Sequence, residues 1–161
     1  MMSMNPGEPH DALVVARRAA AAMEYADEAL RSAGVRLVDV GPGRSRTAMT
    51  VEKRHLNGHG LCHGGYLFML ADCALAFASN SYGPSAVASS ADITFLRAGA
   101  LGDELVADAQ ERGRTGRSGL YDITIRAADR VIAEFRGRTR VVPGLAPPPS
   151  VADADTAGET R

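Results

Sequence analysis

The chain of 161 residues has the length of one domain and can bury a genuine core. Its 18 basic and 19 acidic residues leave a formal net charge of -1, so no overall field draws in nucleic acid or an anionic membrane, and an anionic ligand must be held by local charge. At 45% hydrophobic and 23% charged residues the composition is that of a soluble globular protein, and no apolar run approaches the ~20 residues of a membrane span.

Met1 to Gly7 carry no basic patch followed by an apolar stretch, so no secretory signal is read and a cytoplasmic location is expected. Cys62 and Cys73 are then expected as reduced thiols. Residues 1–34 read as an N-terminal extension, mostly one helix from Asp11 to about Ser32, with Asp11 as its N-cap and Gly34 just past its end. A core domain is expected over residues 35–143. It opens with a hairpin, Val35–Val40 and Arg46–Val51 about the turn Gly41-Pro42-Gly43. Asn57, Gly58 and Gly60 make 52–62 a loop.

From Tyr66 to about Ser79 nearly every residue is apolar or small, which predicts a helix buried on all faces. Four strands follow, 85–96, 104–111, 120–126 and 131–142; Tyr121, Ile123 and Ile125 alternating with Asp122, Thr124 and Arg126 is the pattern of a half-buried strand. The order is that of an α+β fold, a sheet wrapped around one helix, with an extra N-terminal helix. Residues 144–161, rich in Pro and small or acidic residues, are expected to be a disordered tail.

Asp72 is the most informative residue. One helical turn away stand Phe68, Met69, Leu75 and Ala76, none able to pair with a carboxylate. Either the fold brings it hydrogen bonds from elsewhere, or partial desolvation sets it up as a general base or nucleophile. Gly64 and Gly65 stand at the entrance of the same helix, where backbone N–H groups lack partners and the dipole favours negative charge. That suits an oxyanion hole as well as a tight turn. Eight residues of helix span about 12 Å, whereas a reacting carbon must lie roughly 3 Å from both base and oxyanion donors. One chain therefore does not supply both halves, and an antiparallel neighbour would. A homodimer with shared sites is expected.

His55, His59, Cys62 and His63 could suggest zinc, but the glycines between them spoil the helix that i, i+4 ligation needs, and no metal is expected. Adjacent Cys62 and His63 make a poor nucleophile pair. Arg112, Arg114, Arg117 and Ser118 form a basic loop, read either as a solvated hairpin or as a holder of nucleotide phosphates. Arg136, Arg138 and Arg140 fall on one exposed strand face.

The segment Asn57-Gly58-His59-Gly60-Leu61-Cys62-His63-Gly64-Gly65-Tyr66-Leu67-Phe68-Met69-Leu70-Ala71-Asp72, with Asn80 and Ile93-Thr94-Phe95-Leu96-Arg97, closely resembles the PaaI-type branch of the hotdog thioesterases. The resemblance spans roughly residues 50 to 142. It implies a hotdog fold with an antiparallel sheet wrapped around a long central helix, dimers and in many members tetramers, and cofactor-free hydrolysis of an acyl-CoA, coenzyme A being part of the substrate. The phenylacetyl-CoA or hydroxyphenylacetyl-CoA class is favoured. By position, Gly64 would donate its N–H to the thioester carbonyl and Asp72 of the other subunit would attack or activate water. Asn57 would help place that water, and His63 would support the carbonyl site. Gly65, Ser90, Arg114, Arg117 and Ser118 would contact substrate, the last three its nucleotide. Two alternatives are an enoyl-CoA hydratase or dehydratase on the same fold and a non-catalytic acyl-CoA-binding protein. The acyl group is not readable, because an apolar pocket separates neighbouring groups by only ~1 to 3 kcal/mol.

Overall fold

A computed structural model describes residues 9–153. The chain starts with two helices, α1 (Pro9–Ala26) and α2 (Glu28–Ala33), so the single helix expected from Asp11 to Ser32 is broken. The break is at Asp27, whose backbone is extended at φ −89° and ψ 95° and whose carboxylate accepts the Leu30 N–H at 2.9 Å. That carboxylate caps a new helix by satisfying one of its orphan donors. Asp11 lies inside the first turn of α1 and is not its cap. Gly34 does end α2, in the left-handed conformation (φ 73°) that a residue with a Cβ rarely adopts.

The hairpin forms as β1 (Arg36–Gly41) and β2 (Arg44–Thr50). A short 3-10 turn (Lys53–His55) and a loop lead into α3 (Gly64–Asn80). Then come β3 (Ala86–Phe95), β4 (Glu104–Thr115), β5 (Ser118–Ala127) and β6 (Arg130–Val141). All six strands pair antiparallel in the order β1-β2-β4-β5-β6-β3. α3 touches every one of them, which is the expected α+β arrangement of a sheet curled around one helix. On β5, Tyr121, Ile123 and Ile125 are buried as their alternation predicts, each contributing on the order of 1.5 to 3 kcal/mol.

Two departures from expectation bear on function. First, α3 is not buried all round. Leu67, Leu70, Ala74 and Leu75 are buried in the core, but Gly65, Phe68, Met69, Asp72 and Ala76 form a stripe that is open or half-open. The apolar composition of that stripe does not distinguish the positions that the sheet covers from those that it leaves open. Second, β3 pairs with β6 on one side only and is exposed along most of its length, including Val87 and Phe95.

The tail is described as far as Asp153; residues 154–161 of the segment expected to be disordered lie outside the described residues. Residues 145–149 lie against the body of the domain, where they line a cleft beside α3.

Candidate active site

At the start of α3 the backbone donors are almost all committed. His63 is the N-cap: its Nδ1 accepts the Gly65 N–H at 3.0 Å, and its carbonyl accepts the N–H groups of Tyr66 and Leu67. An Nδ1 that accepts leaves the proton on Nε2. Among the described residues the Gly64 N–H has no acceptor, so this one donor remains free at the positive end of a 17-residue helix. A Cβ on Gly64 would come within 3.0 Å of the Phe95 ring, which explains why glycine stands there. Gly65 is already engaged by His63, and its expected part in substrate contact is limited to lining a cleft of about 560 Å³ with His63, Tyr66 and Met69.

Asp72 lies two turns further on. Among the described residues its carboxylate has no hydrogen-bond or ion-pair partner, so the reading in which the fold brings it bonds from elsewhere in the chain has no support. Burial pushes its pKa above the ordinary carboxylate value, and the negative charge of Asp27 pushes it further the same way. The helix break therefore places a second carboxylate near the first, which an unbroken Ala-rich helix would not suggest. Asp72 lines a different cleft from His63 and Gly65, also about 560 Å³, walled by Leu75, Ala76, Asn80 and the first residues of β3. Both clefts fall within the ~300 to 1,000 Å³ usual for small-molecule sites.

The loop before α3 is held by its own side chains. Asn57 Oδ1 accepts the N–H groups of His59 (2.9 Å) and Leu61 (3.2 Å), so Asn57 shapes the loop that delivers His63. His55, missed by sequence reasoning as anything but a weak metal ligand, is fully buried. Its Nδ1 accepts the Glu52 N–H at 2.9 Å, and its Nε2 lies 3.0 Å from the Ala33 carbonyl. Its own carbonyl accepts the His63 N–H at 2.8 Å, so it ties the end of α2 to the cap of α3. With both ring nitrogens occupied, it has none to offer a metal. Among the described residues no group of three or more His, Cys, Asp or Glu is placed to hold a metal ion. Cys62 and Cys73 are free and buried; burial pushes their thiols to about 11 and about 12, so both stay protonated and non-nucleophilic near neutral pH.

Arg114, Arg117 and Ser118 are brought together around a small cavity that shares Ser79 and Ala86 with the Asp72 cleft. Arg114 is not a free cation: it pairs with Glu111 at 3.2 Å and stacks over the Tyr82 ring at 3.5 Å. Arg117 makes no side-chain ion pair among the described residues. Ser90, on exposed β3 opposite Arg138, lines neither cleft. Arg136 is held by Asp122 on the outer sheet face at 2.6 and 2.8 Å, as an exposed strand face allows.

The fold is a sheet curled about one helix, with a free N–H at the helix start and an unpaired acid further along, and the Thioesterase superfamily model matches residues 59–134. The chain belongs to that superfamily, in the PaaI-type branch of the hotdog-fold acyl-CoA thioesterases. It is 43% identical over 124 residues to the acyl-coenzyme A thioesterase PaaI of Escherichia coli K12, which covers 76% of this chain and 89% of that one. The structure of the E. coli PaaI protein from the phenylacetic acid degradation operon superimposes with a TM-score of 0.80 at 41% identity, covering 82% and 96% of the two chains. A Streptococcus mutans UA159 protein solved with acetyl CoA bound gives a TM-score of 0.65 at 28% identity, covering 67% and 88%. Human acyl-coenzyme A thioesterase 13 is 30% identical over 106 residues, 63% of this chain and 76% of that one.

Proposed function

We propose that this thioesterase hydrolyses an aryl- or acyl-CoA, with the phenylacetyl-CoA or hydroxyphenylacetyl-CoA class favoured, at sites each built from two chains. The observation that carries the reading is the separation of its two chemical halves. The free Gly64 N–H stands at the start of α3 and the unpaired Asp72 carboxylate two turns further on, in a cleft whose walls include neither Gly64 nor its His63 cap. A second copy with α3 antiparallel would bring its Asp72 to this chain's Gly64, and the open stripe of α3 and the unpaired edge of β3 are the surfaces such a copy would cover. The preference for an aryl-acetyl group rests on the relative from the phenylacetic acid degradation operon.

In the reaction the Gly64 N–H receives the thioester oxygen, where negative charge develops. Asp72, made more basic by burial, takes a proton from water as the hydroxyl oxygen bonds to the carbonyl carbon. The tetrahedral adduct collapses, the C–S bond breaks, and the CoA thiolate recovers the proton from the Asp72 carboxyl. Free acid and CoA thiol result, with no cofactor consumed. Attack by Asp72 itself, through an acyl anhydride then cleaved by water, uses the same two groups. His63 holds the cap that orients Gly64, and Asn57 holds the loop that presents His63. Arg117 and Ser118, with Arg114 braced by Glu111, are the groups proposed for the nucleotide phosphates. A cytoplasmic location fits CoA chemistry.

The test is thiol release from a panel of phenylacetyl-, hydroxyphenylacetyl-, benzoyl- and medium-chain acyl-CoA. Turnover with the aryl-acetyl members preferred is expected. No release from any of them by folded protein overturns the proposal.

A further inference from the structure

The cleft that holds Asp72 is not made by the hotdog core alone. Its walls include Met23 from α1 and Leu145, Pro147, Pro148 and Pro149 from the chain beyond β6. This segment lies outside residues 59–134, which carry the superfamily match. Pro147 and Pro148 also line a second cavity of about 420 Å³ against Val14, Val15 and Ala22 of α1. The segment is thus a partition, with the Asp72 cleft on one side and the outer face of α1 on the other.

Its sequence suits that task. Three consecutive prolines hold the backbone extended and present apolar rings without an N–H that needs a partner, so they can line an apolar space at no hydrogen-bonding cost. The segment is tied to the domain where it leaves β6 and closes on itself at its far end. Val142 donates to the Ser85 carbonyl at 3.0 Å and Leu145 to that of Val142 at 3.2 Å, while the Ser150 N–H and hydroxyl both donate to Asp153, at 2.7 and 2.6 Å. Of the other polar side chains of the cleft, Asn80 and Ser79 are spoken for, and among the described residues the Ser85 hydroxyl has no partner. Asn80 bonds to both backbone groups of Ala86, at 2.9 and 3.0 Å, and Ser79 to the Ala76 carbonyl at 3.2 Å. What remains is a largely apolar channel along about 12 Å of helix, with one carboxylate at its Asp72 end and the Ser85 hydroxyl as its other free polar group.

We propose that the 145–149 strap, with Met23, forms the wall of the acyl-binding cleft and sets the largest acyl group this enzyme accepts. The inference rests on the thioesterase reading above, and adds to it that the selectivity is written in the two segments flanking the core. Because the strap is held mainly by apolar contact, changing its side chains alters the cleft without touching Gly64, His63 or Asp72.

The experiment compares dodecanoyl-CoA with phenylacetyl-CoA in full-length protein. The triple variant Leu145→Ala, Pro147→Ala, Pro148→Ala opens the wall; Leu145→Trp fills it. The kcat/KM ratio of dodecanoyl- to phenylacetyl-CoA should rise by roughly tenfold or more in the first and fall by roughly as much in the second, since a change of one methylene in an apolar pocket already changes selectivity by about tenfold or more. A ratio unchanged in both, or equal loss with both substrates, overturns the strap as a ruler. Dissociation constants of the same two CoA esters, measured calorimetrically with Asp72→Asn in each background, separate this from failure of the enzymatic reading. If intact protein releases no thiol, the thioesterase proposal falls, and the strap stands or falls on whether the affinity ratio moves in the same directions.

Discussion

The two ends of the reactive face of α3 are built on opposite principles. At the Gly64 end, among the described residues, the backbone donors are hydrogen-bonded except the one proposed to receive the thioester oxygen: His63 takes the Gly65 N–H, the His63 carbonyl takes the next two, and the carbonyl of buried His55 holds the His63 N–H. At the Asp72 end almost nothing is hydrogen-bonded to the group that matters, and its basicity comes from burial. The first is a rigid dipole aimed in advance, the second a charge kept partly dry. The comparison teaches that an oxyanion site can be fixed by local chain geometry, whereas a base is tuned by what surrounds it, including a carboxylate on a different helix.

The sharpest way to break this picture is Asp72→Asn. Loss of the base should lower kcat by roughly 10²- to 10⁴-fold in steady-state assays, and a loss under tenfold would remove Asp72 from the chemistry. The same variant should be more stable than the parent at pH 7. Because burial raises the folded-state pKa, the ionised form costs stability at high pH, and the cost fades as pH falls through the raised value towards the ordinary 3.8. Thermal melts should therefore show the Asn advantage at neutral pH and none near pH 3.8.

Gly64→Val tests the other end, since a branched side chain there crowds both the Phe95 ring and the approach to the N–H. Alone it should cost roughly 10²- to 10³-fold. Mixed and re-equilibrated with Asp72→Ala, it should regain activity, because a heterodimer holds one intact site and one doubly defective one. Random pairing then restores about a quarter of the sites. No rescue in verified heterodimers would put both groups in one chain.

The smallest effect belongs to Asp27→Asn, which keeps the helix-capping oxygen but removes the charge near Asp72. The acid limb of the kcat/KM profile should start above the ordinary carboxylate range in the parent and move modestly lower in the variant. The move is modest because burial is the larger cause and stays in place. An unmoved limb would assign the tuning to burial alone.

Much of this was legible in the residues. The Gly41-Pro42-Gly43 turn, the alternation of Tyr121, Ile123 and Ile125, and Gly34 past a helix end each carry a local steric or burial rule, and each rule won. The proposed catalytic pair stands out in the residues because an acid among apolar neighbours and glycines at a helix start are costly without use. Three things were not legible. The break at Asp27 hides in an Ala-rich window where only a capping oxygen outweighs helix propensity. The open stripe of α3 depends on where the curled sheet stops, which the apolar residues of the helix do not encode. The 145–149 strap looks disordered because prolines and small residues suggest no core, yet here they line a cavity wall in place of filling one.

β3 has a consequence for how the molecule is made. It is the first strand after α3, but among the described residues its only strand partner is β6, the last of the sheet in chain order. At ~5 to 20 residues per second, the stretch from Phe95 to Val141 takes a ribosome on the order of several seconds, and throughout that time β3 has neither edge satisfied. Its pairing with β6 must wait until that strand has been made. A nascent chain thus holds both halves of the proposed chemistry well before it has a complete sheet to carry them.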